Sequence, residues 1–208
     1  MLWNGLVRPL FEYGAEVWGD RKWEEADLLQ KKMGKFFLGV RPTTPTAMVL
    51  GDLGWLKLRS RRVILRLRYW KKILGMGENR LVRQAYEMDR KNIHQAGSWS
   101  QGTRRILEEH GLGEAWEEQD TGGTWKEWAD KVDAAVEAKE AREWKEECER
   151  KVKLEGYRKV KTERGTARYL TAQDQMGRCL MARLRGGNEL ATDRAGTLRG
   201  GRQRRENV

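Results

Sequence analysis

Residues 56–75 read Leu56-Lys-Leu-Arg-Ser-Arg-Arg-Val-Ile-Leu-Arg-Leu-Arg-Tyr-Trp70-Lys-Lys-Ile-Leu-Gly75. Val63, Leu67, Trp70 and Leu74 recur at helical spacing, and Ile64, Leu65 and Ile73 widen the apolar stripe. Arg59, Arg62 and Arg66 fall on another face, while Arg61, Arg68 and Lys72 form a second basic row. Lys71 and Lys72 suit the negative end of the helix dipole, and Gly75 is a natural stop. No acid interrupts residues 57–72. Two readings are open: a core helix whose charged side is merely solvated, or a helix held on protein by one face and on phosphate by the other. The second makes Arg59, Arg61, Arg62, Arg66, Arg68, Lys71 and Lys72 candidate ligands of a nucleic-acid backbone.

The surrounding chain is 208 residues long, enough for one or two domains with a real core. Hydrophobic residues make up 38% and charged residues 35%, which favours wet helices over a sheet. Three Pro leave room for long helices, and ten Trp supply large anchors for packing them. No sustained alternating pattern predicts a strand. No apolar run of about 18 residues predicts a membrane span, and the first residues lack the pattern of a signal peptide. Cys148 and Cys179 stand alone, which fits a reducing compartment, nuclear or cytoplasmic, and supplies no zinc site.

The net charge of +11 is segmented. Residues 1–40 are neutral, 41–95 hold 13 basic against 4 acidic side chains, 96–150 hold 8 against 15, and 151–208 hold 15 against 6. Two basic blocks flank an acidic one, so an anionic partner is expected for the blocks and not for the middle.

Along the chain, residues 2–18 read as one helix with Pro9 at a kink or first turn. Glu12 and Glu16 lie one turn apart, a spacing that suits a metal, but no third ligand is near and a solvated face is the better reading. Residues 23–38 form a second helix stopped by Gly39, Pro42-Thr-Thr-Pro45 is an extended linker, and Thr46 caps a short helix through Leu53. Residues 78–90 and 102–110 are further helices, and residues 112–123 read as acidic and soft. Thr124 caps a long helix over about 125–154, where Trp125, Trp128, Val132, Trp144 and Cys148 keep a stripe amid Glu and Lys pairs. Asp174 caps a last helix, and Arg199-Gly-Gly-Arg-Gln-Arg-Arg205 is too polar to fold alone.

Catalytic constellations are missing from the sequence. His94 and His110 lie beside no nucleophile or acid in a recognisable arrangement. There is no Gly-x-Ser-x-Gly, no His-Glu-x-x-His, no Cys-x-x-Cys and no paired aspartates for a two-metal site. No catalytic residue, metal ligand set or cofactor is assigned.

Four pieces carry a family resemblance. They are Leu6-Val-Arg-Pro-Leu-Phe-Glu-Tyr-Gly-Ala-Glu-Val-Trp18; Leu29-Gln-Lys-Lys-Met-Gly-Lys-Phe-Phe-Leu-Gly39; Leu50-Gly-Asp-Leu-Gly-Trp55 with Arg61-Arg62 and Leu67-Arg-Tyr-Trp70; and Tyr157 with Lys161, Tyr169-Leu170 and Met181-Ala-Arg-Leu-Arg-Gly186. In order they resemble the segment after the polymerase palm in reverse transcriptases of LINE-type (non-LTR) retrotransposons. The residues themselves read as all-α: a helical unit over 1–95, a soft acidic linker over 96–123, a long helix with short C-terminal helices over 124–187, and a disordered Arg/Gly-rich tail over 188–208; the resemblance implies that the first is a thumb followed by a linker region. It further implies a non-catalytic piece of an RNA-directed DNA polymerase that grips RNA, DNA or an RNA–DNA hybrid through phosphates, beside a palm or other helical protein and away from membranes. The seven cations above match the family's duplex-facing helix. The alternatives are a protein-interaction module working through Trp125, Trp128 and Trp144, or a relic without function.

Overall fold

The computed structural model describes residues 3–95 and 97–187. It is all-α, as the sequence predicts, and the described residues add only an isolated antiparallel bridge between Leu53 and Thr166. The tail expected to be disordered lies outside the described residues.

The helices are α1 (Arg8–Glu12), α2 (Ala15–Trp18), α3 (Glu24–Leu38), α4 (Thr46–Leu53), α5 (Leu58–Leu74), α6 (Leu81–Lys91), α7 (Trp99–Glu109), α8 (Gly113–Glu118), α9 (Trp125–Arg150), α10 (Glu155–Val160) and α11 (Gln175–Arg185). A π-turn precedes α1, and 3-10 turns stand at Val152–Leu154 and Arg168–Thr171. Some boundaries follow side-chain caps, but Thr46, expected to cap α4, is its first residue, with Pro45 at the N-cap position. Thr124 and Glu127 exchange hydrogen bonds at the start of α9, a reciprocal cap. Asp174 accepts from the amides of Met176 and Gly177 at the start of α11.

The single helix expected over residues 2–18 is broken. Gly14 takes a left-handed conformation, φ 66°, and separates α1 from α2. The stretch at 112–123 is also firmer than its acidity suggests. It contains α8, whose Trp116 is buried and stacks on Trp70 with ring centroids 5.9 Å apart.

The chain divides into two compact units that ignore the linear division read from sequence. The first comprises residues 1–30 and 55–146, the second residues 31–54 and 147–208. A segmentation by charge follows chain order, whereas packing joins segments far apart in sequence; α3 and α9 each contribute to both units.

The core of the first unit is built on α5. Val63, Ile64, Leu67, Trp70 and Ile73 pack with Tyr86, Ile106, Leu107, Trp116, Trp128, Val132 and Val136. Trp70 is its centre, lying 5.8 Å from the Trp128 ring and donating its indole N–H to the Tyr86 hydroxyl at 3.0 Å. Burial of three large aromatic surfaces around one helix supplies the main drive for this unit.

The second unit is held by a buried carboxylate. Asp52 is fully buried on α4 and accepts from Tyr157 at 3.0 Å and Tyr169 at 2.8 Å. Arg185 of α11 approaches the same carboxylate at 3.6 Å, and its guanidinium lies over both tyrosine rings. Burial, then the Asp52 charge, pushes both phenols above their ordinary values, so each remains a donor.

Candidate nucleic-acid interface

Helix α5 carries all seven cations predicted to meet phosphate, so its surroundings decide whether they can do so. Two of them cannot reach solvent. Arg62 and Arg66 are both 0% exposed. Arg66 donates to Asp20 at 2.7 Å, to Thr103 at 3.0 Å, and to the carbonyls of Trp99 and Val17 at 2.8 and 3.2 Å. Its guanidinium also lies over the Trp99 ring at 4.7 Å. Arg62 packs over the Trp18 ring at 5.4 Å and donates to the Arg21 carbonyl at 3.4 Å. Burial lowers the pKa of both guanidiniums; Asp27 opposes this at Arg62 and Asp20 at Arg66. A guanidinium stays charged even so, which is why Arg66 gathers so many acceptors.

Three more are engaged by protein oxygens. Arg61 pairs with Glu12 at 2.9 Å, and Arg68 with Asp133 at 2.6 Å. Lys71 donates to the Thr121 hydroxyl and to the carbonyls of Gly122 and Gly123 at 2.8, 3.1 and 3.0 Å. Lys57, just ahead of the helix, bridges to Glu143 at 2.6 Å and Glu140 at 3.8 Å. Ser60 donates to buried Glu140 as well. Arg59 and Lys72 are exposed, and Arg59 acts electrostatically on Glu109 and Glu143.

The seven cations are therefore not one phosphate-facing array. Asp133, Glu140 and Glu143 of α9, in the acidic block, meet charges on or just before α5. Part of the first basic block is thus met by the chain itself: Lys57 and Arg68 by carboxylates of the acidic middle, Arg61 and Arg66 by Glu12 and Asp20. Sequence spacing puts Arg62 and Arg66 on a basic face; their neighbours Trp18, Trp99 and Asp20 come from segments far away in sequence, which periodicity does not reveal.

Glu12, half of the glutamate pair spaced for a metal, accepts from Arg61 instead and lies 3.4 Å from the Arg8 Nε as an ion pair. Among the described residues no group of three or more His, Cys, Asp or Glu could hold a metal ion. Among the same residues no helix is long and apolar enough to cross a membrane. The Trp-rich face of α9 is also occupied. Trp128 is 1% exposed and donates to the Leu67 carbonyl at 3.1 Å, and Trp144 is buried; of the three, Trp125 reaches solvent, at 51%.

The unabsorbed charge lies elsewhere. Among described residues the first unit holds 22 Lys and Arg against 22 Asp and Glu, a net of zero. The second holds 15 against 6, a net of +9. Its Lys31, Lys32, Arg150, Lys153 and Arg168 are exposed. Burial, then the neighbouring charges of Lys31 and Lys151, lowers the pKa of Lys35, which donates to the Pro42 carbonyl. Such like-charge crowding is relieved by an anion. Composition could have found this excess only if the second unit's boundaries had been known.

No family model, curated protein or solved structure matches the chain.

Proposed function

We propose that this chain binds nucleic acid without catalysis, through backbone phosphates, as the post-palm segment of a LINE-type reverse transcriptase would hold primer–template. The observation that carries this reading is the partition of charge: the first unit balances its own charges, and the second keeps a net of +9. The phosphate-binding role is accordingly assigned to the second unit, with Lys31, Lys32, Lys153 and Arg168 in the lead; Arg59 and Lys72, exposed on α5 of the first unit, are what remains of the α5 reading. Cations without a base-reading element follow a backbone by charge and shape, so RNA, DNA and their hybrid are all ligands. The reaction belongs to whatever polymerase domain such a segment accompanies.

The test is fluorescence anisotropy of a labelled RNA–DNA hybrid, titrated over salt. Joint reversal of Lys31, Lys32, Lys153 and Arg168 to Glu should reduce affinity on every sequence. The salt slope should flatten by about 0.7–0.9 for each phosphate that the variant no longer neutralises. Arg59→Glu with Lys72→Glu should have the smaller effect. The opposite order would return the interface to α5, and no binding by the wild type at about 50 mM salt would end the nucleic-acid reading.

A further inference from the structure

The second unit also presents an apolar face that its own core does not use. On α11, Met176, Leu180 and Leu184 follow at i, i+4 and i+8, with Met181 beside them, and all four are exposed. The flank of α11 beside this ridge meets the end of α3. Arg183 donates its Nε–H to the Gly39 carbonyl at 2.9 Å, and a side chain at Gly39 would strike the Cys179 sulfur at 2.7 Å. The last turn of α3, just before Gly39, carries Phe36 at 76% exposure and Phe37, which is also exposed, their rings 6.0 Å apart. Two adjoining elements of one unit thus expose two Phe, two Met and two Leu, where solitary exposed apolar side chains would need no explanation.

We infer that the Phe36–Phe37 turn and the α11 ridge form a docking surface for an acidic amphipathic helix from another protein. The occupant follows from charge and shape. The face belongs to a unit of net +9, with Lys32 one turn before Phe36 and Arg178 three residues before Met181. A second copy of this unit would bring a like charge, as would the chain's own residues 188–208, with five basic and three acidic side chains. The nearest cations, Arg183 and Arg185, are already engaged by Gly39 and Asp52. The remaining positive charge therefore sits at separate points that suit spaced carboxylates on a helix. The i, i+4, i+8 ridge is the shape that packs into a helix groove, and methionine adapts to an imperfect fit. The apolar side chains of this face take no part in the phosphate reading, whereas Lys32 beside Phe36 serves both.

The experiment titrates the full chain into a labelled peptide of about five helical turns, with Leu on one helical face and Glu on the other. A scrambled peptide of equal charge, a Leu/Lys counterpart and phosphatidylserine vesicles serve as comparisons. The expected result is binding of the Leu/Glu helix alone, weakened about tenfold or more by Phe36→Ser with Met176→Ser. Both positions are exposed, so the fold should persist, and circular dichroism checks this. Hybrid affinity measured on the same variant should stay unchanged, which separates this inference from the phosphate reading. Equal binding of the scrambled peptide, binding of vesicles in place of the peptide, or concentration-dependent self-association abolished by the same variant would overturn it.

Discussion

Arg66 Nη1 lies 2.7 Å from Asp20 Oδ1, with the arginine side chain 1% exposed and the aspartate 25% exposed. This pair binds the turn after α2 to the middle of α5, and Gly102 of α7 closes over it. A side chain at Gly102 would stand 2.7 Å from Asp20 and 3.0 Å from Arg66. An arginine so placed is a structural tie, so its removal should be strongly destabilising. Arg66→Ala strands the acceptors around it and opens a cavity, and is expected to cost about 3–5 kcal/mol. Arg66→Met, which fills the space without a charge, should cost less. Urea denaturation measures both. A loss below about 1 kcal/mol for Arg66→Ala would show that the guanidinium is solvated in solution.

Trp128 separates the packing role of α9 from a partner-binding role. Its ring lies 5.8 Å from Trp70, and its N–H donates to the Leu67 carbonyl. Trp128→Ala should destabilise the chain by about 3–5 kcal/mol, as large-to-small core changes do. Trp125→Ala, on the same helix but exposed, should stay within about 0.5 kcal/mol. Similar small losses at both positions in a thermal melt would release Trp128 for a partner.

Much of the fold was legible because its signals are local. The stripe Val63, Leu67, Trp70 on α5 and the caps at Thr124 and Asp174 need only neighbours within one or two turns. The pieces that were not legible are those that depend on distant partners. Arg62 and Arg66 look identical to Arg59 in a periodicity argument, yet Trp18, Trp99 and Asp20 bury two of them and leave the third exposed. Trp116 sits among Glu residues and reads as soft until Trp70 is seen beneath it. The site suffers more than the fold, because a charge does not announce whether its counterion is a carboxylate of the same chain or a phosphate of another molecule.

His110 should leave a signature in the pH dependence of stability. It follows α7 half-buried, with Nδ1 2.7 Å from the Ile106 carbonyl. Burial lowers its pKa from 6.5; the hydrogen bond with Ile106 opposes this, Lys139 adds to it, and Glu109 and Glu143 oppose it. The unfolded chain therefore takes up a proton more readily than the folded one. Stability rises with pH where the unfolded state binds more protons, so the contribution is intact above about pH 6.5 and is lost as pH falls from there toward the folded value. The slope in that window is at most about 1.4 kcal/mol per pH unit. Asp89, Glu109 and Glu143, all held below their ordinary values, lose their contributions in a more acidic window. His110→Gln should flatten the profile near pH 6 and leave the acid limb in place. Chemical denaturation from about pH 5 to 8 on both proteins decides it.

The second unit should be most sensitive where α4 ends. Gly54 closes that helix at φ 66°, and a side chain there would stand 2.7 Å from the Thr166 amide nitrogen and 3.1 Å from the Gly165 carbonyl carbon. Both obstacles are backbone, held by the Leu53–Thr166 bridge and by the Ala167 amide donating to the Asp52 carbonyl at 2.8 Å. Gly54→Ala thus combines a strained φ with a steric conflict that no rotamer relieves, and should cost more than about 1 kcal/mol. Asp52→Ala removes the acceptor shared by Tyr157 and Tyr169 and leaves Arg185 without its carboxylate, for an expected loss of about 3–5 kcal/mol. Because both changes act on the same closure, their effects should not add, and the double variant should be less destabilised than the two single variants together. Additive effects would mean that the carboxylate and the helix end stabilise this unit independently.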